Sequence, residues 1–74
     1  MTESAVAQVC ALALGFPEMP LDSNIFDLGA DSIHVTLIAA GLQRLYGIEM
    51  AYLEIFDHPT VAELTRLVSI RMNE

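Results

Sequence analysis

The chain has 74 residues, 54% of them hydrophobic and 18% charged, with ten Asp and Glu against three basic residues and a net charge of −7. Such a balance repels phosphate backbones and anionic lipid heads, which argues against nucleic-acid and membrane-surface roles, while a mean hydropathy of +0.50 rules out a disordered chain. Surface scaling gives roughly 4,500 Å² exposed when folded against about 11,700 Å² unfolded, so one modest core is feasible, an enclosed active site is not easily built, and a helper, binding or carrier role stands ahead of a self-contained enzyme.

A first helix is predicted from about Glu3 to Leu14, with Val6, Val9, Cys10 and Ala13 on one face at the i, i+3, i+4, i+7 spacing. This apolar stretch is too short to span a bilayer and follows Glu3 rather than a basic residue, so it reads as a core helix of a cytoplasmic protein, not a targeting segment. Cys10, the single cysteine, sits among Val6, Val9 and Ala13 and is expected to be a buried structural thiol. Gly15 and Pro17 end the helix by a left-handed cap and a residue that cannot continue the ladder.

From Phe16 to Asp31 runs a long connection in which Leu21, Ile25, Phe26 and Leu28 can pin the chain to the core. Phe26 and Leu28 are expected to be the buried anchors that hold its end in register. A second helix follows from Ser32 to about Tyr46, with Asp31 at its N-cap, a buried stripe of Val35, Ile38, Ala39, Leu42 and Leu45 or Tyr46, and Gly47 as its stop. Residues 51–56 allow about one and a half helical turns before His58-Pro59 halts them. Thr60-Val61-Ala62-Glu63 is a capping box that opens the last helix, with Val61, Leu64, Leu67, Val68 and Met72 inward and Arg66 and Arg71 near its end, where they suit the helix dipole. No segment alternates with period two. The expected fold is all-α: three main helices and one short third helix, packed as a small four-helix bundle.

Most catalytic patterns fail on inspection. Asp31, Ser32 and His34 are too close in sequence to face one another on a helix. An EF-hand beginning at Asp22 would place Phe26 and Asp27 where a ligand and a glycine belong. His34 and His58 lack a partner at i+4 and read as solvated or capping residues, so no metal site is indicated. What survives is the loop 22–33, Asp-Ser-Asn-Ile-Phe-Asp-Leu-Gly-Ala-Asp-Ser-Ile, which delivers a serine to the start of a helix. Ser32 either helps to cap that helix or offers its hydroxyl to a phosphate ester, which would meet free backbone N–H groups and the positive end of the dipole there.

Phe26-Asp27-Leu28-Gly29-Ala30-Asp31-Ser32-Ile33, followed by Phe56-Asp57-His58-Pro59-Thr60-Val61, resembles the carrier proteins of fatty-acid, polyketide and nonribosomal peptide synthesis. The resemblance covers about residues 21–68. It implies a four-helix bundle in which Ser32 bears a 4'-phosphopantetheine arm, taken from coenzyme A, whose thiol holds intermediates as thioesters. It also implies a non-catalytic carrier, one domain over residues 1–74, expected to be a monomer. The implied partners are a phosphopantetheinyl transferase, an adenylation or acyltransferase enzyme, and condensation, ketosynthase, tailoring or thioesterase enzymes. The His-Pro-Thr block resembles the carriers of nonribosomal peptide and modular polyketide assembly lines, and His34, where fatty-acid carriers usually have an acidic residue, sets fatty-acid synthesis behind them; Gly29-Ala30-Asp31-Ser32 resembles fatty-acid and polyketide carriers. Between the assembly-line classes a peptidyl or aminoacyl carrier is expected, with a polyketide acyl carrier as the alternative. A small acidic helical adaptor without a prosthetic group is the alternative from another class. On the second helix Ile33, Thr36, Leu37 and Ala40 lie away from the buried stripe and form a mostly apolar patch beside Ser32, the expected contact surface for partner enzymes.

Overall fold

In the computed structural model, which describes residues 2–73, the helices fall where their start and stop residues put them: α1 (Thr2–Leu14), α2 (Ser32–Tyr46), α3 (Tyr52–Asp57) and α4 (Val61–Met72). Gly15 takes φ +78° behind α1 and Gly47 takes φ +68° behind α2, where its N–H donates to the Gln43 carbonyl at 2.8 Å. Both glycines occupy the left-handed region that closes a helix cheaply only without a Cβ. Of the expected capping box on α4, the Thr60 half forms: its Oγ1 accepts the Glu63 N–H at 3.1 Å. The short α3 begins one residue later than the spacing suggested. Ala51 has no side chain to cap it, and Glu54 Oε1 accepts the Ala51 N–H instead, at 2.8 Å.

The helices pack as a four-helix bundle, α1 against α2 and α4, with α2 also touching α3 and α4. The bundle exposes 4492 Å², the area that its mass dictates. Val6, Cys10, Val35, Ile38, Leu42, Ile55, Val61, Leu64 and Val68 are fully buried. Each large aliphatic among them contributes roughly 1.5–3 kcal/mol by leaving water. Burial pushes the Cys10 thiol up to about 12, the inert, packed sulfur its neighbours implied. Val9, Ala13, Ala39 and Leu67 are half-buried at the edge of the core. At position 45/46 it is Tyr46 that packs inward, while Leu45 and Met72 lie out in solvent at 54% exposure each. The last turn of a helix overhangs its neighbours, so the apolar period there continues past the core.

The long connection is anchored differently from expectation. Ile25 is fully buried and Met19 nearly so, whereas Phe26 and Leu28 are half-buried and Leu21 is exposed. Successive residues of a turn point to different sides, and the side taken here is set by two bonds across the bundle: Ile25 N–H to the Pro59 carbonyl at 2.8 Å, and Ala62 N–H to the Leu21 carbonyl at 3.1 Å. Phe26 is left to stack on Phe56, ring centroids 4.8 Å apart and 7° from parallel. Arg71, in the last turn of α4 where its charge suits the helix dipole, also donates to the Glu49 carbonyl at 2.7 Å and pairs with the Glu54 carboxylate, tying the end of α4 to the start of α3. Among the described residues no helix is long and apolar enough to cross a membrane.

Candidate functional site

The path into Ser32 is a run of tight turns around one carbonyl. Asn24 Oδ1 accepts the Phe26 N–H at 2.8 Å, and the Ile25 carbonyl accepts the N–H groups of Leu28 and Ala30, both at 3.1 Å. Gly29, at φ +102°, supplies the reversal between them. With Ile25 sunk in the core, this winding delivers Asp31 as the N-cap and Ser32 as the first residue of α2. Ser32 is exposed, and Val35 one turn on is fully buried, which holds the helix start against the bundle.

Four amides at a helix start have no partner within the helix, and three of them are already satisfied by Asp31 and His34. Asp31 Oδ1 accepts from Ile33 N–H at 3.0 Å and His34 N–H at 3.2 Å, and the Asp31 N–H meets His34 Nδ1 at 3.0 Å. The first hydrogen bond of the helix proper, Val35 N–H to the Asp31 carbonyl, is 3.0 Å. The expectation that a phosphate ester would find free amides is therefore corrected: the Asp31 carboxylate takes two of them and the His34 ring a third, and only the Ser32 N–H has no acceptor among the described residues. The His34 backbone N–H above all, then the charge and ring of His34 and the Ile33 N–H, holds the Asp31 carboxyl below the usual aspartate range. It is thus an anion at neutral pH, placed beside Ser32.

The Ser32 hydroxyl makes no hydrogen bond with any described residue. A serine nucleophile works only when a base takes its proton; the Ser32 hydroxyl is bonded to none among the described residues, and His34 Nδ1 is engaged with Asp31. The site therefore offers an exposed hydroxyl with no base hydrogen-bonded to it among the described residues. That chemistry suits an acceptor whose base comes from another protein. An exposed hydroxyl with one unfilled amide beside it also fits a phosphodiester at Oγ. Among the described residues no group of three His, Cys, Asp or Glu could hold a metal ion.

The residues named for partner contact lie outside the core: Ile33 and Leu37 are 69% and 51% exposed, and Thr36 and Ala40 are exposed as well. Thr36 spends its hydroxyl on the Ser32 carbonyl at 2.9 Å. The apolar surface reaches further than the sequence suggested. Leu53, Tyr52 and Phe56 of α3 are exposed too, and the Phe26–Phe56 stack joins α3 to the loop before Ser32. A helix of six residues is too short to show which face it buries; the one clue was that five of residues 51–56 are apolar, more than so short a segment can bury.

Residues 4–68 match the family described as "Phosphopantetheine attachment site". A linear gramicidin synthase of Brevibacillus parabrevis is 38% identical over 74 residues, 99% of this chain and 1% of that protein; tyrocidine synthase 3 of the same organism is 30% identical over 67 residues, 90% of this chain and 1% of that protein. The chain thus spans about 1% of the length of the curated relatives it matches. Among solved structures, the peptidyl carrier protein seen with the phosphopantetheine transferase Sfp and coenzyme A superimposes with a TM-score of 0.91 at 27% identity, covering 96% of this chain and 92% of that one. The McyG A-PCP complexed with phenylalanyl-adenylate gives a TM-score of 0.86 at 33% identity, covering 90% of this chain and 10% of that one. A bundle of this shape, with a solvent-facing serine at the start of α2, and a match over nearly its whole length lead to one conclusion: the chain belongs to the phosphopantetheine attachment site family, the carrier domains that bind 4'-phosphopantetheine.

Proposed function

We propose that residues 1–74 form one peptidyl carrier domain of nonribosomal peptide synthesis, with the 4'-phosphopantetheine arm on Ser32. The arm supplies a thiol that holds aminoacyl or peptidyl groups as thioesters. The chain itself contributes the exposed hydroxyl, a rigid mount, and a surface for other enzymes to grip. The observation that carries this reading is a serine at the first position of α2, exposed and with no base hydrogen-bonded to its hydroxyl among the described residues. Relatives in gramicidin and tyrocidine synthases, and neighbours seen with an adenylate or with a transferase and coenzyme A, support it.

In this role the domain is not an enzyme. A phosphopantetheinyl transferase loads the arm, an adenylation enzyme charges it, and condensation, tailoring or thioesterase enzymes consume the charged form in the cytoplasm. Ile33, Thr36, Leu37 and Ala40 are the contact residues. Apolar contact dominates, because α2 carries no acidic residue between Ser32 and Tyr46. Intact mass after incubation with coenzyme A and a transferase tests the assignment. The chain is expected to gain one phosphopantetheine and Ser32→Ala none. Modification that persists in Ser32→Ala would refute it.

A further inference from the structure

His34 has no role in the chemistry just described, yet its ring is bonded to the N-cap residue of the helix that presents Ser32. The third residue of a helix ordinarily reaches back to the N-cap amide with Glu or Gln; here an imidazole does so. Its Nδ1 lies 3.0 Å from the Asp31 nitrogen and 3.0 Å from Asp31 Oδ1. A neutral ring protonated on Nε2 accepts the Asp31 N–H, and a protonated ring donates to Oδ1. Either way the ring ties to Asp31, and Asp31 in turn holds the amides of Ile33 and His34.

Ser32 is enclosed by this loop of bonds without joining it. Its carbonyl is taken by Thr36 Oγ1 at 2.9 Å, and its side chain makes no bond among the described residues. With no bond on its side chain, where the Ser32 Cβ sits, and so the arc its Oγ can reach, is set by the backbone of residues 31–34. We propose that His34 is a positioning residue for the transfer onto Ser32, aiming the hydroxyl through Asp31; this rests on Ser32 being the attachment residue. In that transfer Ser32 Oγ forms a bond to the phosphorus bearing the pantetheine. The anhydride bond of coenzyme A breaks, 3',5'-adenosine diphosphate leaves with the electron pair, and the hydroxyl proton passes to a base on the transferase. In-line displacement of this kind is sensitive to the angle of attack, and a displacement of about 1 Å costs on the order of 100-fold in rate.

The test is steady-state transfer with coenzyme A and the transferase Sfp on the wild type, His34→Ala, His34→Gln and Thr60→Ala. His34→Ala is expected to lower kcat roughly 10- to 100-fold with KM nearly unchanged, since the outward contact patch is untouched. His34→Gln restores an acceptor at the same position and is expected to recover most of the rate. Thr60→Ala removes the comparable cap from α4, so it lowers stability without lowering kcat. Wild-type kcat in His34→Ala, a loss confined to KM, or an equal kcat loss in Thr60→Ala would overturn the proposal. Should the alanine variant unfold, His34→Leu keeps bulk without an acceptor and carries the same comparison. Each of these outcomes leaves the Ser32 assignment standing; that assignment fails only if the wild type is not modified or Ser32→Ala still is.

Discussion

Replacing Ile25 by alanine probes how the loop holds Ser32. Ile25 is fully buried, its N–H bonds to the Pro59 carbonyl at 2.8 Å, and its own carbonyl organises the turn through Leu28 and Ala30. The substitution keeps those backbone bonds and removes three carbons from the core, a change that costs about 2–5 kcal/mol. At 0.05–0.15 kcal/mol per residue, a chain this size has roughly 4–11 kcal/mol to lose. A loss of about 3 kcal/mol lowers Tm by roughly 12–24 °C in a domain of this length. Phe26→Ala, one residue on, removes a larger side chain but one that is half-buried and stacked on Phe56. It forfeits a ring pair worth about 0.5–1.5 kcal/mol and only part of a phenylalanine's burial, so its cost is expected to be the smaller. Urea denaturation of both variants decides the order, and the transferase assay shows whether Ser32 presentation declines with the anchor. A Phe26→Ala protein less stable than Ile25→Ala, or an Ile25→Ala protein within about 1 kcal/mol of wild type, would refute this account of the loop.

Two further outcomes follow from the surface and the carboxylates. Leu37→Glu is expected to change stability by less than about 0.5 kcal/mol, as for other exposed positions, while weakening productive transfer to a partner enzyme; unfolding would place Leu37 in the core, and wild-type transfer that collapses at moderate salt would assign recognition to charge. Asp31 and Glu54 both have carboxyls held below their ordinary range, Asp31 chiefly by the His34 N–H and Glu54 chiefly by the Ala51 N–H with Arg71 beside it. Their stabilisation is present above the unfolded carboxyl values, about pH 4, and is lost as pH falls through the lower folded values. Urea midpoints measured from pH 7 to pH 2.5 are thus expected to drop below about pH 4 and to drop less in Asp31→Asn, and an identical acid profile in that variant would exclude Asp31 as a contributor.

Much of the protein was legible from local patterns. The limits of α2 follow from Asp31 before it and Gly47 behind it, the start of α4 from Thr60, and the burial of Cys10 from its place on the α1 stripe, because caps and helical period act within one or two turns. The serine-bearing loop and the His-Pro-Thr block carried the family resemblance in the same local way. Tertiary structure alone decided which apolar residues of the long connection go inside. Such a segment has no period, so its register was set at a distance, by Ile25 meeting Pro59 and Leu21 meeting Ala62. The clasp from Arg71 to Glu54 spans 17 residues, beyond the reach of any helix rule. The filling of the amides beside Ser32 by Asp31 and His34 is itself local, a capping box within three residues, but one closed by an imidazole in place of the usual Glu or Gln. Local residues place a serine at a helix start; the packing of the loop and the filling of that start determine how its hydroxyl is offered.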